Sequence, residues 1–201
     1  MATFEELVAQ YSQAEGQARS KNDLAKIEAE LWDEYGVEQA VLVLDMAGFS
    51  RLSQSHGLVH YLSMIHRMQK AVSTPVTKHK GSIVKFEADN MFARFPSTGN
   101  AISSGIEVNH VLSGMNMMTP TELDVHVCIG IDFGNFLLIR KGNFFGDPVN
   151  LASKLGEELA GPGEILVSDA AIKLVPTGKF NSEEVSYVAP GHNLVAHRIE
   201  F

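Results

Sequence analysis

Gln39-Ala40-Val41-Leu42-Val43-Leu44-Asp45-Met46-Ala47-Gly48-Phe49-Ser50 is the stretch that decides how this chain folds. Ala40 to Leu44 is apolar without alternation, the pattern of a strand covered on both faces. A strand is predicted over Glu38 to Asp45, ending on a carboxylate beside a turn. A second aspartate occupies the same kind of place. Ser82-Ile83-Val84-Lys85-Phe86 and Met91-Phe92-Ala93-Arg94-Phe95 predict a hairpin with Ala88-Asp89-Asn90 at its tip. A carboxylate at the end of a buried strand is a common way to hold a divalent ion beside a phosphate. Two of them suggest a two-metal phosphoryl-transfer site.

Outward from these strands the pattern alternates. Leu58, Leu62, Ile65, Met68 and Val72 repeat at helical spacing and predict a helix from Gly57 to about Lys78, with Pro75 placed to kink or shorten its last turn. Ser97 or Thr98 can cap a second helix running to about Met117 through Ile102, Ile106, Val108 and Leu112. Leu123 to Asp132 alternates as a strand, and Gly134-Asn135 is expected to turn it into Phe136 to Ile139. Pro148 opens a helix from Val149 to about Leu159. Ile165 to Val167 follows as a short strand, Asp169 to Val175 as a short helix, and Phe180 to Phe201 as two weaker strands. The first six elements of this main part, β-α-β-β-α-β, form the ferredoxin-like arrangement, an antiparallel sheet with helices on one face. The fold class is α+β, that core with additional C-terminal strands and helices.

Residues 1–36 read as an acidic helical extension, and 37–201 as the main domain. Phe4, Leu7, Val8 and Tyr11 mark one helix; Leu24, Ile27, Leu31 and Tyr35 mark a second, with Asn22 as its N-cap and Gly36 as its stop. Their plainest role is a pair of helices packed on the domain; the alternative is a signal input or a dimerisation element.

Composition bounds the chemistry. The 201 residues carry a formal net charge of -8, which argues against nonspecific nucleic-acid binding. The single cysteine, Cys128, excludes an internal disulfide and fits a reducing compartment. The N-terminal residues lack a signal-peptide pattern, and no run approaches ~18 apolar residues, so no membrane span is expected and the cytoplasm is the default location.

Three segments together resemble class III nucleotidyl cyclase catalytic domains: Asp45-Met46-Ala47-Gly48-Phe49-Ser50, then Gly81 to Asp89, then Gly146-Asp147-Pro148-Val149-Asn150-Leu151-Ala152-Ser153-Lys154-Leu155. Each is weak alone; three in order at compatible spacing are fairly specific. The resemblance implies a homodimer with composite sites, acting on a nucleoside triphosphate with two Mg²⁺ or Mn²⁺ per site. One chain would give Asp45 and Asp89 as metal ligands, with the Met46 carbonyl assisting. Amides of Ala47, Gly48, Phe49 and Ser50 would cradle the triphosphate. The partner chain would give Lys85 and Asn143 to read the base; Asn150 would orient the ribose and Lys154 would stabilise charge on the α-phosphate. ATP to 3′,5′-cyclic AMP and pyrophosphate is the reaction implied.

This chain also departs from the family pattern. Ala88 stands where the family usually has glycine, and its methyl bears on the turn that carries Asp89. Asn143 replaces an aspartate, keeping an acceptor, adding a donor and losing the charge. Lys85 stands where the guanylyl type has glutamate, which disfavours guanine. Lys154 replaces arginine and lacks its bidentate fork. The tail around His192-Asn193-Leu194-Val195 lacks the lysine that usually meets the triphosphate. Two other readings therefore stay open: a cyclase for another nucleotide such as UTP or CTP, and a degenerate, non-catalytic nucleotide-binding signalling module. Plain structural roles are expected for Asp147, at a helix N-terminus; for Glu87, as a solvated charge; and for Cys128, as a small buried apolar residue.

Overall fold

A computed structural model describes residues 2–16, 21–48, 57–139, 142–189 and 192–201. The N-terminal helices are α1 (Phe4–Gly16) and α2 (Lys21–Tyr35). Thr3 and Glu6 close α1 with a reciprocal capping box: the Thr3 amide donates to Glu6 Oε2 at 2.8 Å and the Glu6 amide to Thr3 Oγ1 at 3.2 Å. Asn22 lies inside α2, so it is not the cap expected for that helix. Gly36 ends α2 as expected and starts β1 (Gly36–Met46) with no linker. A Cβ at Gly36 would lie 2.3 Å from the Trp32 carbonyl oxygen, so only glycine allows so abrupt a change of direction.

The remaining elements are α3 (Leu58–Lys78), β2 (Ser82–Glu87), β3 (Asn90–Phe95), α4 (Thr98–Asn116), β4 (Val127–Ile139), β5 (Asn143–Phe145), α5 (Asp147–Ser153), β6 (Ile165–Ser168), α6 (Asp169–Ile172), β7 (Asn181–Ala189) and β8 (His192–Glu200). The strands form one eight-stranded mixed sheet in the order β2-β3-β1-β4-β6-β8-β7, with β5 added to β4. β1 is central and antiparallel to both β3 and β4, while β4 and β6 run parallel.

β1 is dry on both sides. Ala40, Leu42, Leu44 and Met46 face α3 and α4 through Tyr61, Met64, Met68, Val72, Ile102 and Val108. Val41 and Val43 face Phe92, Phe136, Phe144, Val149 and Ala152. The unbroken apolar run is therefore explained by helices on both faces. The two helices of the ferredoxin-like core lie on one face, as expected, and the additional C-terminal helix α5 covers the other. Pro75 does not shorten α3, which continues to Lys78 with the His79 amide donating to the Pro75 carbonyl at 3.1 Å. Ser97 is the cap of α4, its hydroxyl accepting from the Asn100 amide at 3.3 Å.

Gly134-Asn135 makes no turn. β4 runs through both residues because β1 begins early enough to pair with them, Gln39 opposite Gly134 and Glu38 opposite Asn135. Gly134 serves packing instead: a Cβ there would lie 2.9 Å from Pro148 Cγ. Upstream, the expected strand start at Leu123 is a single 3₁₀ turn, Thr121–Leu123. At the other end of the chain, α6 stops at Ile172, short of Val175. The C-terminal strands are firmly paired along their length, from Asn181 opposite Glu200 to Ala189 opposite His192.

Candidate active site

Asp45 and Asp89 come together. Asp45 is the penultimate residue of β1, opposite Cys128 in β4, and the neighbouring Leu44 pairs with Met91 at the start of β3. That register sets the β2–β3 tip beside the end of β1. Burial pushes the Asp45 carboxyl up to about 6, with the Asp89 and then the Glu157 carboxylate adding to the rise and a hydrogen bond from the Met46 amide opposing it. Tyr61 on α3 lies near the same spot: burial first, and then the Asp89 charge, raise its phenol above its ordinary range. Burial also pushes the Cys128 thiol up to about 11, with Asp45 and Glu164 contributing. Tyr61, Cys128 and Asp45 itself all feel negative charge concentrated at one half-dry spot. A half-buried carboxylate whose ionisation is disfavoured by a second carboxylate nearby is chemically suited to a divalent cation.

The hairpin tip explains how Asp89 is presented. Glu87 pairs with Asn90, which leaves Ala88-Asp89 as a two-residue loop. Ala88 has φ 51 and Asp89 is not in the positive region, so only the first central residue is left-handed. That position favours glycine. The chain keeps the tight tip and carries the alanine methyl in a strained conformation, at roughly 1–2 kcal/mol.

Lys85 and Asn143 form a second group. β2 bulges between Ile83 and Lys85, so Val84 is an extra residue and Lys85 pairs with Phe92. The Lys85 ammonium lies 4.7 Å from the centroid of the Phe92 ring and 2.5 Å from Glu87 Oε2. Gly142, at φ 85, brings its backbone against the bulge: a Cβ there would sit 3.0 Å from the Val84 carbonyl oxygen and 3.8 Å from Lys85 Cβ. Asn143, the next residue, is thereby set beside Lys85, exposed at the start of β5 while Phe144 packs inward on Phe92 and Phe136.

Asn150 and Lys154 form the third group. The Lys154 amide donates to the Asn150 carbonyl, so the two stay one turn apart on one face of α5. From Lys154 to Leu159 the helix widens into a π turn, a feature frequent at functional sites. Asp147 is the first residue of α5 with Pro148 behind it, as expected for a helix start.

The segment expected to cradle the triphosphate is only partly described. The Ala47 amide already donates to the His126 carbonyl at 2.9 Å, extending the β1–β4 ladder. Gly48 turns the chain at φ 83. Phe49 and Ser50 lie outside the described residues.

Three neighbours of the site were not anticipated. Tyr61 belongs to the α3 stripe as the residue between Leu58 and Ile65, and its helical spacing was the available signal. Glu157 follows Asn150 by seven residues and Lys154 by three, within the π turn, and its charge reaches Asp45. Glu87 was expected to be solvated; its side chain is 65% exposed, but its carboxylate holds Lys85.

Among the described residues, no helix is long and apolar enough to cross a membrane. No family model matches the chain. It is 24% identical over 132 residues to the uncharacterized protein Rv2212 of Mycobacterium tuberculosis (strain ATCC 25618 / H37Rv) and equally to the uncharacterized protein Mb2235 of Mycobacterium bovis (strain ATCC BAA-935 / AF2122/97); each match takes in 66% of this chain. The chain spans about a third of the length of these curated relatives, 33% in each case. Among solved structures it is similar to the guanylyl cyclase Cya2, with TM-score 0.71 and 18% identity over 82% of this chain and 92% of that one. It is also similar to the adenylyl cyclase CyaB from P. aeruginosa, with TM-score 0.69 and 20% identity over 83% of this chain and 96% of that one. An adenylate/guanylate cyclase/hydrolase from Silicibacter pomeroyi gives TM-score 0.65 and 24% identity over 82% and 95% of the two chains. The chain has the fold of class III adenylyl/guanylyl cyclase catalytic domains.

Proposed function

We propose that this protein is a nucleotidyl cyclase that converts ATP to 3′,5′-cyclic AMP and pyrophosphate at sites shared between two copies of the chain. The observation that carries this reading is the meeting of Asp45 and Asp89 at the end of β1, on a fold shared with adenylyl and guanylyl cyclases. Asp45, Asp89 and the Met46 carbonyl are the residues that would hold Mg²⁺ or Mn²⁺. Bound there, the metals supply charge neutralisation for the triphosphate and acidification of the 3′-hydroxyl.

The chain's own residues do the rest. Tyr61, whose phenol feels the Asp89 charge, lies close enough to help orient that carboxylate. Lys85 and Asn143 from one copy read the base held at the other copy's aspartates. Asn150 orients the ribose by hydrogen bonding, and Lys154, one turn along, places a positive charge against the α-phosphate oxygens as negative charge builds on them. The attacking oxygen comes from the substrate, so no side-chain nucleophile is needed. A second reading, turnover of another nucleoside triphosphate, is favoured by Asn143, whose amide offers both a donor and an acceptor to a base.

Mass spectrometry of products formed from mixed nucleoside triphosphates with Mn²⁺ tests the reaction and the base together. Asp45→Ala is expected to abolish cyclic nucleotide formation with the fold intact, and Lys154→Arg to preserve or raise it. Unchanged turnover in Asp45→Ala would sink the metal assignment.

A further inference from the structure

Resting on the cyclase reading, we infer that Glu87 is a specificity-determining residue that admits guanine, so that GTP is a substrate alongside ATP. The sequence pattern alone disfavoured guanine, because a lysine stands at the position where a carboxylate would face it. The fold returns a carboxylate to that place from two residues further on. Residues 85 and 87 share one face of β2, and the Glu87 carboxylate lies 2.5 Å from the Lys85 ammonium.

The pair makes a two-point reader. The ammonium has three donors and gives one to Glu87, so it keeps two for a base. The carboxylate has about four acceptor sites on its two oxygens and uses one on Lys85, so both oxygens can still accept. Phe92 lies 4.7 Å beneath the ammonium and anchors it from the protein side, and the bulge at Val84 sets Lys85 onto Phe92. Glu87 is the more exposed member, 65% against 30%, so the acceptor stands at the outer, solvent-facing end of the pair.

Base chemistry then decides what fits. Adenine offers one ring acceptor, N1, beside one amino donor, N6. Guanine offers one acceptor, O6, beside two adjacent donors, N1–H and N2–H. Lys85 can donate to N1 of adenine or to O6 of guanine. Two parallel N–H groups match a carboxylate and give charge-assisted hydrogen bonds, the stronger kind. Asn143 is neutral and can present its carbonyl or its amide, so it suits either purine. Glu87 therefore contributes more to guanine than to adenine.

The test is the ratio of kcat/KM for GTP to that for ATP, measured on the full-length assembled protein with Mn²⁺, for the wild type, Glu87→Gln and Glu87→Ile. A ratio cancels any common effect on folding, dimer formation or metal affinity at the adjacent Asp89. The wild type is expected to form cyclic GMP as well as cyclic AMP. Glu87→Ile should lower the ratio by about 10-fold or more, the worth of one hydrogen bond to a charged group, and Glu87→Gln by less. No cyclic GMP from the wild type, or a ratio that stays constant across the three proteins, overturns the inference and leaves the cyclase reading standing. If no nucleotide is cyclised at all, the cyclase reading itself fails. Calorimetric binding of GTP and ATP to the same three proteins then decides Glu87: a GTP preference lost in Glu87→Ile supports its role, and equal relative affinities overturn it.

Discussion

Gly130 in β4 and Gly156 in the π turn meet backbone to backbone: a Cβ on Gly156 would lie 2.8 Å from the Gly130 amide nitrogen and 2.9 Å from the Val43 carbonyl oxygen. No side-chain layer separates this helix from the sheet. The contact sets the height of Lys154 and Glu157 above β1 and so bears on the site. Gly130→Ala would put its Cβ 2.0 Å from the Ala152 carbonyl oxygen, where only backbone can give way. It is expected to cost about 2 kcal/mol or more, lowering Tm by roughly 5 °C or more. Gly114→Ala in α4, where a Cβ meets nothing within 4 Å, is the contrast: it should raise stability by about 0.5–1 kcal/mol. Thermal unfolding followed by circular dichroism measures both.

Ala88→Gly is expected to stabilise the protein. At φ 51 the alanine bears a left-handed penalty that glycine does not. Relief of roughly 1–2 kcal/mol is partly offset by about 0.4–1 kcal/mol of extra freedom for glycine in the unfolded chain. The net gain is up to about 1.5 kcal/mol, read as a rise of a few degrees in Tm. Because Asp89 is the next residue, the same variant should keep or raise turnover. A loss of stability would mean that the turn holds Ala88 without strain.

Asp45 makes metal-free stability depend on pH. Its folded carboxyl titrates at about 6 against an ordinary 3.8, so the folded state holds a proton that the unfolded state has released between those values. Stability from this group is therefore greatest below about pH 4 and is lost as pH rises through 6. Partial exposure reduces the effect to about 1–2 kcal/mol. In EDTA, Tm of the wild type should fall across this range relative to Asp45→Asn. Mn²⁺ at pH 7 should restore the wild type and do less for the variant. Parallel Tm curves for the two proteins in EDTA would count against the raised Asp45 carboxyl, which burial and then the Asp89 charge produce.

Most of the fold was legible because its strongest signals are local. The unbroken run from Ala40 to Leu44 and the stripe from Leu58 to Val72 each predict one element, and both form. What local reading missed depends on partners distant in the chain. Gly134-Asn135 carries turn residues, yet β1 starts early and pairs with both, so the strand continues. Asp45, Asp89, Lys85, Asn150 and Lys154 could be picked out by motif. The register that brings Asp45 to Asp89, and the bulge that sets Lys85 over Phe92 beside Glu87, could not. A bulge inserts one residue, and nothing in Ser82-Ile83-Val84-Lys85 marks which one.

Phe4 ties the first N-terminal helix to the rest of the domain. Its ring stacks on Phe145 at 6.3 Å and 5° and meets Tyr35 edge-on at 5.5 Å, so α1 is pinned both to the end of α2 and to β5. Phe145 lies two residues after Asn143 on that three-residue strand. Phe4→Ala removes both ring contacts and should cost about 1–3 kcal/mol, each aromatic pair contributing beyond its buried area. If the helices only cover the sheet, Tm falls while KM for the nucleotide stays constant. If they brace the base-reading strand, KM rises with kcat little changed, because the loss is in ground-state and transition-state binding alike. The stacking on Phe145, rather than on the metal-site elements, favours the second result.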